Sequence, residues 1–178
     1  IDENHPTNPL VSYGITKLAI EKYLQMYERM YGINAITLRV ANPYGERQRI
    51  ETAQGAVSVF MHHALNDIPI DIWGDGSVTR DYIHVNDVAE AFVRALEYTG
   101  ARFCFNIGTG VGVSLNELIG LLEDVLGKRI VRNYLPGRPF DVPVSVLNND
   151  LAQKELQWTP KISMLDGIVR TAKWMKRE

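Results

Sequence analysis

Ala35-Ile36-Thr37-Leu38-Arg39-Val40 is a short apolar run rich in β-branched residues, and it leads into the turn formers Asn42-Pro43-Tyr44-Gly45. A run that is apolar on both faces suits a strand covered on both sides, as in a parallel sheet. Upstream, residues 10–31 carry Ile15, Leu18, Ala19, Met26 and Met30 at helical spacing, and Gly32 follows where a helix would stop. These five residues are expected to form a core-facing stripe. Residues 1–9, polar and with Pro6 and Pro9, read as a loop, and 46–52 as an exposed, mobile one.

The alternation continues downstream. A helix is expected over 56–66, a strand at Ile70-Asp71-Ile72-Trp73, and a tight turn at Gly74-Asp75-Gly76-Ser77. A second strand runs through Tyr82-Ile83-His84-Val85, and Asn86 is placed to cap a helix over 88–98. Residues 103–107 read as a strand and Gly108-Thr109-Gly110-Val111-Gly112 as a glycine-rich turn. Ser114-Leu115-Asn116-Glu117 fits a capping box that opens a helix over 115–126, closed by Gly127. Short strands at 130–134 and 144–147 flank a proline-rich loop over 136–143. Helices over 150–156 and 164–176 complete the chain. Strands alternating with helices argue for an α/β fold with a parallel sheet.

The totals exclude several classes. With 178 residues, 46% apolar and 22% charged, the chain can bury a real core and fits one domain or a large piece of one. A net charge of -2, from 19 basic and 21 acidic residues, gives no nucleic-acid or membrane surface. No apolar run is long enough to span a bilayer. The start, Ile1-Asp2-Glu3-Asn4-His5, lacks a methionine and a signal-peptide pattern and reads as the interior of a longer protein. The single cysteine, Cys104, lies between Phe103 and Phe105 and is expected to be a buried, inert thiol. A cytoplasmic location is the default expectation.

Tyr13 and Lys17 stand four apart at the start of the first helix, so both fall on one face. A phenol is a poor base at neutral pH, and a nearby ammonium favours its phenolate. The pair can therefore serve as an acid/base and the charge that tunes it. By itself such a spacing is common, and two residues on a half-exposed helix face would look the same.

The glycine turn at 108–112 sits between a strand and a helix, where a dinucleotide fingerprint would sit. The spacing is wrong, because G-x-G-x-x-G requires glycine at 113 and the chain has Val113. It reads as a turn that needs small residues. His62 and His63 are adjacent on a helix, point about 100° apart, and do not suit one metal. Arg80 on its strand, Arg138 in the proline-rich loop and Asn42 at a strand end could bind an anion, since guanidinium groups grip phosphate oxygens in bidentate fashion. Pairing of either arginine with Asp81 or Asp141 is the competing reading.

Taken together, several stretches in fixed order resemble the extended short-chain dehydrogenase/reductase family. Within it, the chain is similar to the nucleotide-sugar epimerases and dehydratases, above all the UDP-sugar 4-epimerases. The stretches are His5-Pro6-Thr7-Asn8-Pro9 before Tyr13-Gly14-Ile15-Thr16-Lys17, then Leu38-Arg39-Val40-Ala41-Asn42-Pro43-Tyr44-Gly45-Glu46-Arg47-Gln48. Trp73-Gly74-Asp75-Gly76-Ser77, Arg80-Asp81-Tyr82-Ile83-His84-Val85, Asn106-Ile107-Gly108-Thr109-Gly110 and Arg138-Pro139-Phe140-Asp141 follow.

The resemblance implies the end of a Rossmann-type doubly wound sheet interleaved with a small mixed α/β substrate domain over residues 1–178, with the dinucleotide-binding half lying upstream. It implies NAD as cofactor, a UDP-sugar as substrate and a homodimer formed through the Tyr/Lys helix, whose outer face carries Tyr23, Tyr27 and Tyr31. Tyr13 would be the acid/base and Lys17 would hold the nicotinamide ribose, with Val40 and Asn42 also against the cofactor. Asn42, Arg80 and Arg138 would hold the diphosphate. Gly55, Ala56 and the strand before Gly74 would line the base, with Tyr82 also against the substrate and Asp141 near the ribose. Ser145 stands where some 4-epimerases carry a bulky gate, which implies room for an N-acetyl group. The implied reaction is epimerisation at C4 through a 4-keto sugar. A 4,6-dehydratase or decarboxylase, or a non-catalytic nucleotide-sugar-binding domain, is the alternative. The glycine-rich dinucleotide turn, the acidic ribose ligand and the catalytic Ser/Thr of the family precede Tyr13 and have no counterpart here, so the 178 residues alone are expected to be inactive and to bind NAD poorly.

Overall fold

The computed structural model describes residues 1–49, 55–139 and 141–177. Part of the expected loop at 46–52, together with Phe140, lies outside the described residues. Among those described, six helices and eight strands alternate as α1 (Ser12–Tyr31), β1 (Thr37–Val40), β2 (Asn42–Tyr44), α2 (Ala56–Leu65), β3 (Ile70–Trp73), β4 (Thr79–His84), α3 (Val85–Leu96), β5 (Cys104–Ile107), β6 (Gly112–Ser114), α4 (Leu115–Leu126), β7 (Arg132–Leu135), β8 (Val144–Ser145), α5 (Asp150–Glu155) and α6 (Met164–Met175). No helix among the described residues is long and apolar enough to cross a membrane.

The α/β class follows from the pairing. β1 pairs with β5, β2 with β4, β3 with β7 and β4 with β8, all in parallel, while β4 and β6 run antiparallel. Two hydrophobic cores result. One gathers Phe105 and Ile107 of β5 with Ile83, Ala91, Ala152, Leu156 and Trp158, and packs against Leu38 and Val40 of β1. The other gathers Tyr44, Met61, Ile70, Ile72, Tyr82, Leu118, Leu122 and Ile168 beneath α2, α4 and α6. Trp158 donates through its ring nitrogen to the carbonyl of Asp87 at 2.9 Å, and the Asp87 carboxylate accepts from the backbone of Lys161 and Ile162. A buried carboxylate thus fixes the approach to α6, because each amide left unpaired there would cost free energy.

Several local signals act as expected. Ser114 and Glu117 form the reciprocal capping box at the start of α4, and Gly127 ends that helix at φ 67°. Cys104 is half-buried, and burial pushes its thiol up to about 11.

Four expectations are corrected. First, α1 buries none of its residues: Ile15, Ala19, Met26 and Met30 are exposed and Leu18 is half-buried. Helical periodicity identifies a face that needs cover, and nothing else among the described residues supplies it. The helix is instead tied to β1 by Arg39, which donates to both Glu21 oxygens at 2.9 and 2.7 Å. Second, Asn42-Pro43-Tyr44 is not only a turn. It forms an edge strand on β4, a position that tolerates the missing proline N–H. Third, α3 is capped by His84, whose Nδ1 accepts from the Asn86 amide at 3.2 Å, so Asn86 lies inside the helix. Fourth, the glycine-rich run at 108–112 leads into an unexpected strand, β6, held by the antiparallel register Asp81↔Gly112.

Candidate active-site cleft

Alternation along β4 sets the geometry. Arg80 and Tyr82 point to one face, and Asp81 and Ile83 to the other. β2 meets the upper half of β4, with Asn42 opposite Tyr82, and β8 meets the lower half, with Ser145 opposite Arg80. Four residues singled out from sequence therefore converge at one sheet junction. Asn42 is pinned there, its Nδ2 donating to the carbonyl of Asp81 at 2.9 Å.

Three adjoining cavities make the cleft. The first, about 350 Å³, lies between the lead-in to α1 and the end of β1, and is lined by His5, Val40, Asn42 and Ser145 among others. The second, about 230 Å³, shares Asn42 and adds Gly55, Ala56, Arg80 and Tyr82. The third, about 290 Å³, shares Gly55 and Ala56 and adds Trp73, Arg138 and Asp141. All the expected substrate residues thus line three cavities that share Asn42, Gly55 and Ala56 between neighbours. Tyr13 and Lys17 line none of the three cavities. They stand on the first turns of α1, beyond His5 and Pro6, with Tyr13 72% exposed and Lys17 Nζ 5.4 Å from the Tyr13 ring centre.

The two arginines do not pair with acids. Among the described residues neither Arg80 nor Arg138 has a carboxylate within 4.0 Å. Arg80 uses one nitrogen, Nη1, to donate to the carbonyls of Thr79 at 2.9 Å and Val142 at 2.6 Å. Carbonyl anchors orient a guanidinium without neutralising it, and the rest of the fork is left for a ligand. The guanidinium carbon of Arg138 lies over the Trp73 ring, 4.1 Å from its centre. Stacking of this kind holds the plane of the cation while its edge stays available. Tyr82 is buried, its hydroxyl has no partner among the described residues, and burial pushes it up to about 12.

The glycine turn at 108–110 is filled from within. Asp81 Oδ1 accepts from Thr109 N at 2.8 Å, and Oδ2 accepts from Gly110 N at 3.2 Å. The amides that would cradle a phosphate are spent on this carboxylate, which agrees with the reading of the turn as structural. Of the residues expected against NAD, Tyr13 and Lys17 are exposed on α1, and Val40 and Asn42 line the first cavity. His62 and His63 engage different neighbours, Asn66 and Pro69.

Two residues escaped the sequence reading. Trp73 belongs to the strand that the resemblance places against the base, but its role as a platform for Arg138 is not in that reading, although the alternation Ile70 in, Asp71 out, Ile72 in places its ring outward. Asp81 enters the sequence reading only as a competing partner for Arg80, although strand alternation puts adjacent residues on opposite faces.

Comparison with known proteins agrees with this geometry. Residues 1–108 match the NAD dependent epimerase/dehydratase family. A putative UDP-glucose 4-epimerase of Methanocaldococcus jannaschii is 41% identical over 178 residues, covering 99% of this chain and 57% of that protein. A dTDP-4-dehydro-6-deoxyglucose reductase of Escherichia coli is 38% identical over 93% of this chain and 52% of its own length. The crystal structure of UDP-glucose 4-epimerase from Thermotoga maritima with UDP-glucose superimposes with a TM-score of 0.95 at 37% identity, covering 99% of this chain and 57% of that one. The chain thus spans a little over half the length of the relatives it matches, and its α/β architecture is part of a Rossmann-type epimerase fold.

Proposed function

We propose, for a chain that belongs to the NAD dependent epimerase/dehydratase family, that its full-length protein interconverts UDP-sugars at C4, UDP-glucose with UDP-galactose. The observation that carries this reading is the groove in which Asn42, Arg80 and Arg138 converge, with both cations free of carboxylate partners among the described residues. A substrate diphosphate lies between Arg80 and Arg138 in this reading. The base rests against Gly55, Ala56 and the Trp73 end of β3, Asp141 faces the ribose, and the sugar extends past Asn42 and Tyr82 toward Ser145. The core built on β1 and β5 is the end of the cofactor domain, and the larger core is the substrate domain.

Tyr13 moves the proton at the sugar 4-hydroxyl, and Lys17 holds its ammonium beside that phenol and against the cofactor ribose. Val40 and Asn42 complete the wall on the cofactor side. Bound NAD supplies acceptance and return of the C4 hydride. The residues of the cleft hold the nucleotide at one end so that the sugar, oxidised to the 4-keto form, can present either face. Ser145 is small and half-buried at the first cavity, so the reading extends to UDP-N-acetylglucosamine. A homodimer formed through the exposed aromatic face of α1, where Tyr23, Tyr27 and Tyr31 lie, and a cytoplasmic location belong to the same reading.

The test is incubation of the full-length protein with NAD and UDP-glucose. Formation of UDP-galactose supports the proposal, and the N-acetyl pair should turn over as well. The reductase relative from Escherichia coli favours a second reading, chemistry on a 4-keto-6-deoxy sugar of the dehydratase kind. Release of a 4-keto-6-deoxy product would select it over epimerisation, and no turnover of any nucleotide-sugar would leave a binding domain.

A further inference from the structure

The side chain of Asp81 lies behind the cleft and is fully buried. Its Oδ1 accepts from Thr109 N at 2.8 Å and Thr109 Oγ1 at 2.7 Å, and its Oδ2 accepts from Gly110 N at 3.2 Å and Leu147 N at 3.3 Å. All four donors are neutral, and among the described residues no cation stands within 4.0 Å. A Cβ at position 108 would collide with Oδ2, so Gly108 is what lets the turn close over the carboxylate. The backbone carbonyl of Asp81, not its side chain, receives Asn42 Nδ2.

These contacts meet where β4 changes neighbours. Thr79 and Arg80 pair with Val144 and Ser145 of β8, whereas Tyr82 to His84 pair with β2. β8 is only a two-residue strand, and its ladder alone is a weak constraint on the segment that follows it. The Leu147 bond to Asp81 extends that constraint past Ser145. We propose that Asp81 is a positioning residue for substrate: acting through its carboxylate from the rear face of β4, it fixes the 145–147 segment, and thereby the sugar end of the cleft. This rests on the reading of the groove as a nucleotide-sugar site. Among the described residues, Gly55, Trp73 and Arg138 at the base end make no hydrogen bond to Asp81.

The consequence is an asymmetric effect on ligands. Asp81→Asn turns one acceptor oxygen into a donor facing amide donors, so the turn and the 145–147 segment separate from β4. Affinity for UDP-glucose should fall about 10-fold or more, while affinity for UDP, which lacks the sugar, should fall less than about 3-fold. Isothermal titration of both ligands into the 178-residue chain reads the two constants. Hydrogen exchange at the Thr109, Gly110 and Leu147 amides should quicken in the variant. If Asp81→Asn does not fold, Thr109→Val removes a single donor at nearly constant shape, and a loss confined to UDP-glucose is expected again. Equal weakening of both ligands, or no weakening of either, overturns the positioning role while leaving the cleft assignment intact. Failure of the unmodified chain to bind UDP-glucose overturns the cleft assignment itself, and the Asp81 role with it.

Discussion

Arg138 is exposed, and its guanidinium is held by the Trp73 face alone among the described residues. Its loss should therefore be felt by ligand and not by the fold. Arg138→Ala is expected to weaken UDP-glucose binding about 10- to 100-fold, the worth of a charge-assisted contact, with little change in thermal midpoint. Calorimetric titration beside a melting curve checks both halves. His84 makes the opposite case, a residue whose effect falls on stability. Its ring is buried against the edge of Tyr44, with Nδ1 capping α3 and Nε2 3.1 Å from Glu46 Oε2. Burial holds the imidazole below its ordinary value, and Arg170 adds to this. Glu46 and Asp87 oppose it without overcoming it. A histidine with a depressed folded value is protonated more readily in the unfolded chain. Stability contributed by neutral His84 is thus complete above about pH 6.5 and declines as pH falls through that value, levelling off below the folded one. Thermal midpoints measured between pH 7.5 and 5 should drop, and His84→Asn, which keeps an acceptor for the Asn86 amide, should flatten that part of the profile.

The helices divide by what covers them. α4 has its own cap, a buried stripe of Leu118, Ile119 and Leu122, and α2 and α6 as neighbours, so its sequence signals and its packing agree. Removing the cap is then a local injury. Ser114→Ala should lower the thermal midpoint by about 2–4 °C in a chain of this size, measured by circular dichroism. α1 has the longer run of turns and a weaker apolar stripe, and it buries no residue and hangs on the Arg39–Glu21 fork. In the 178-residue chain its amides should exchange with solvent much faster than those of α4, because most helical stability comes from tertiary packing and not from propensity. Protection of α1 equal to that of α4 would contradict this.

In the proposed reading, the cleft at Asn42, Arg80 and Arg138 takes the nucleotide-sugar, and Tyr13 and Lys17 mark one end of a site for NAD. The 178-residue chain is accordingly expected to bind UDP-glucose and to bind NAD weakly, and micromolar NAD affinity in a direct titration would overturn that expectation. Much of this was legible beforehand because it is local or periodic. The alternation of helices and strands specified the α/β class, Ser114-Leu115-Asn116-Glu117 specified its own cap, and Gly127 its own helix end. Val113 was enough to disqualify the glycine turn as a fingerprint. The order of motifs from Tyr13 to Asp141 carried the resemblance to the family. Other facts were decided only by tertiary structure, because they depend on which segments meet. Nothing near Arg80 in sequence says that Val142 and not an acid receives it, nor that Asp81 faces backward to close the 109–110 turn. No periodicity in α1 tells whether its apolar face is covered. A sequence states what each segment requires of its surroundings, whereas the long-range contacts at Asn42, Arg80, Asp81 and Trp73 show which surroundings it meets.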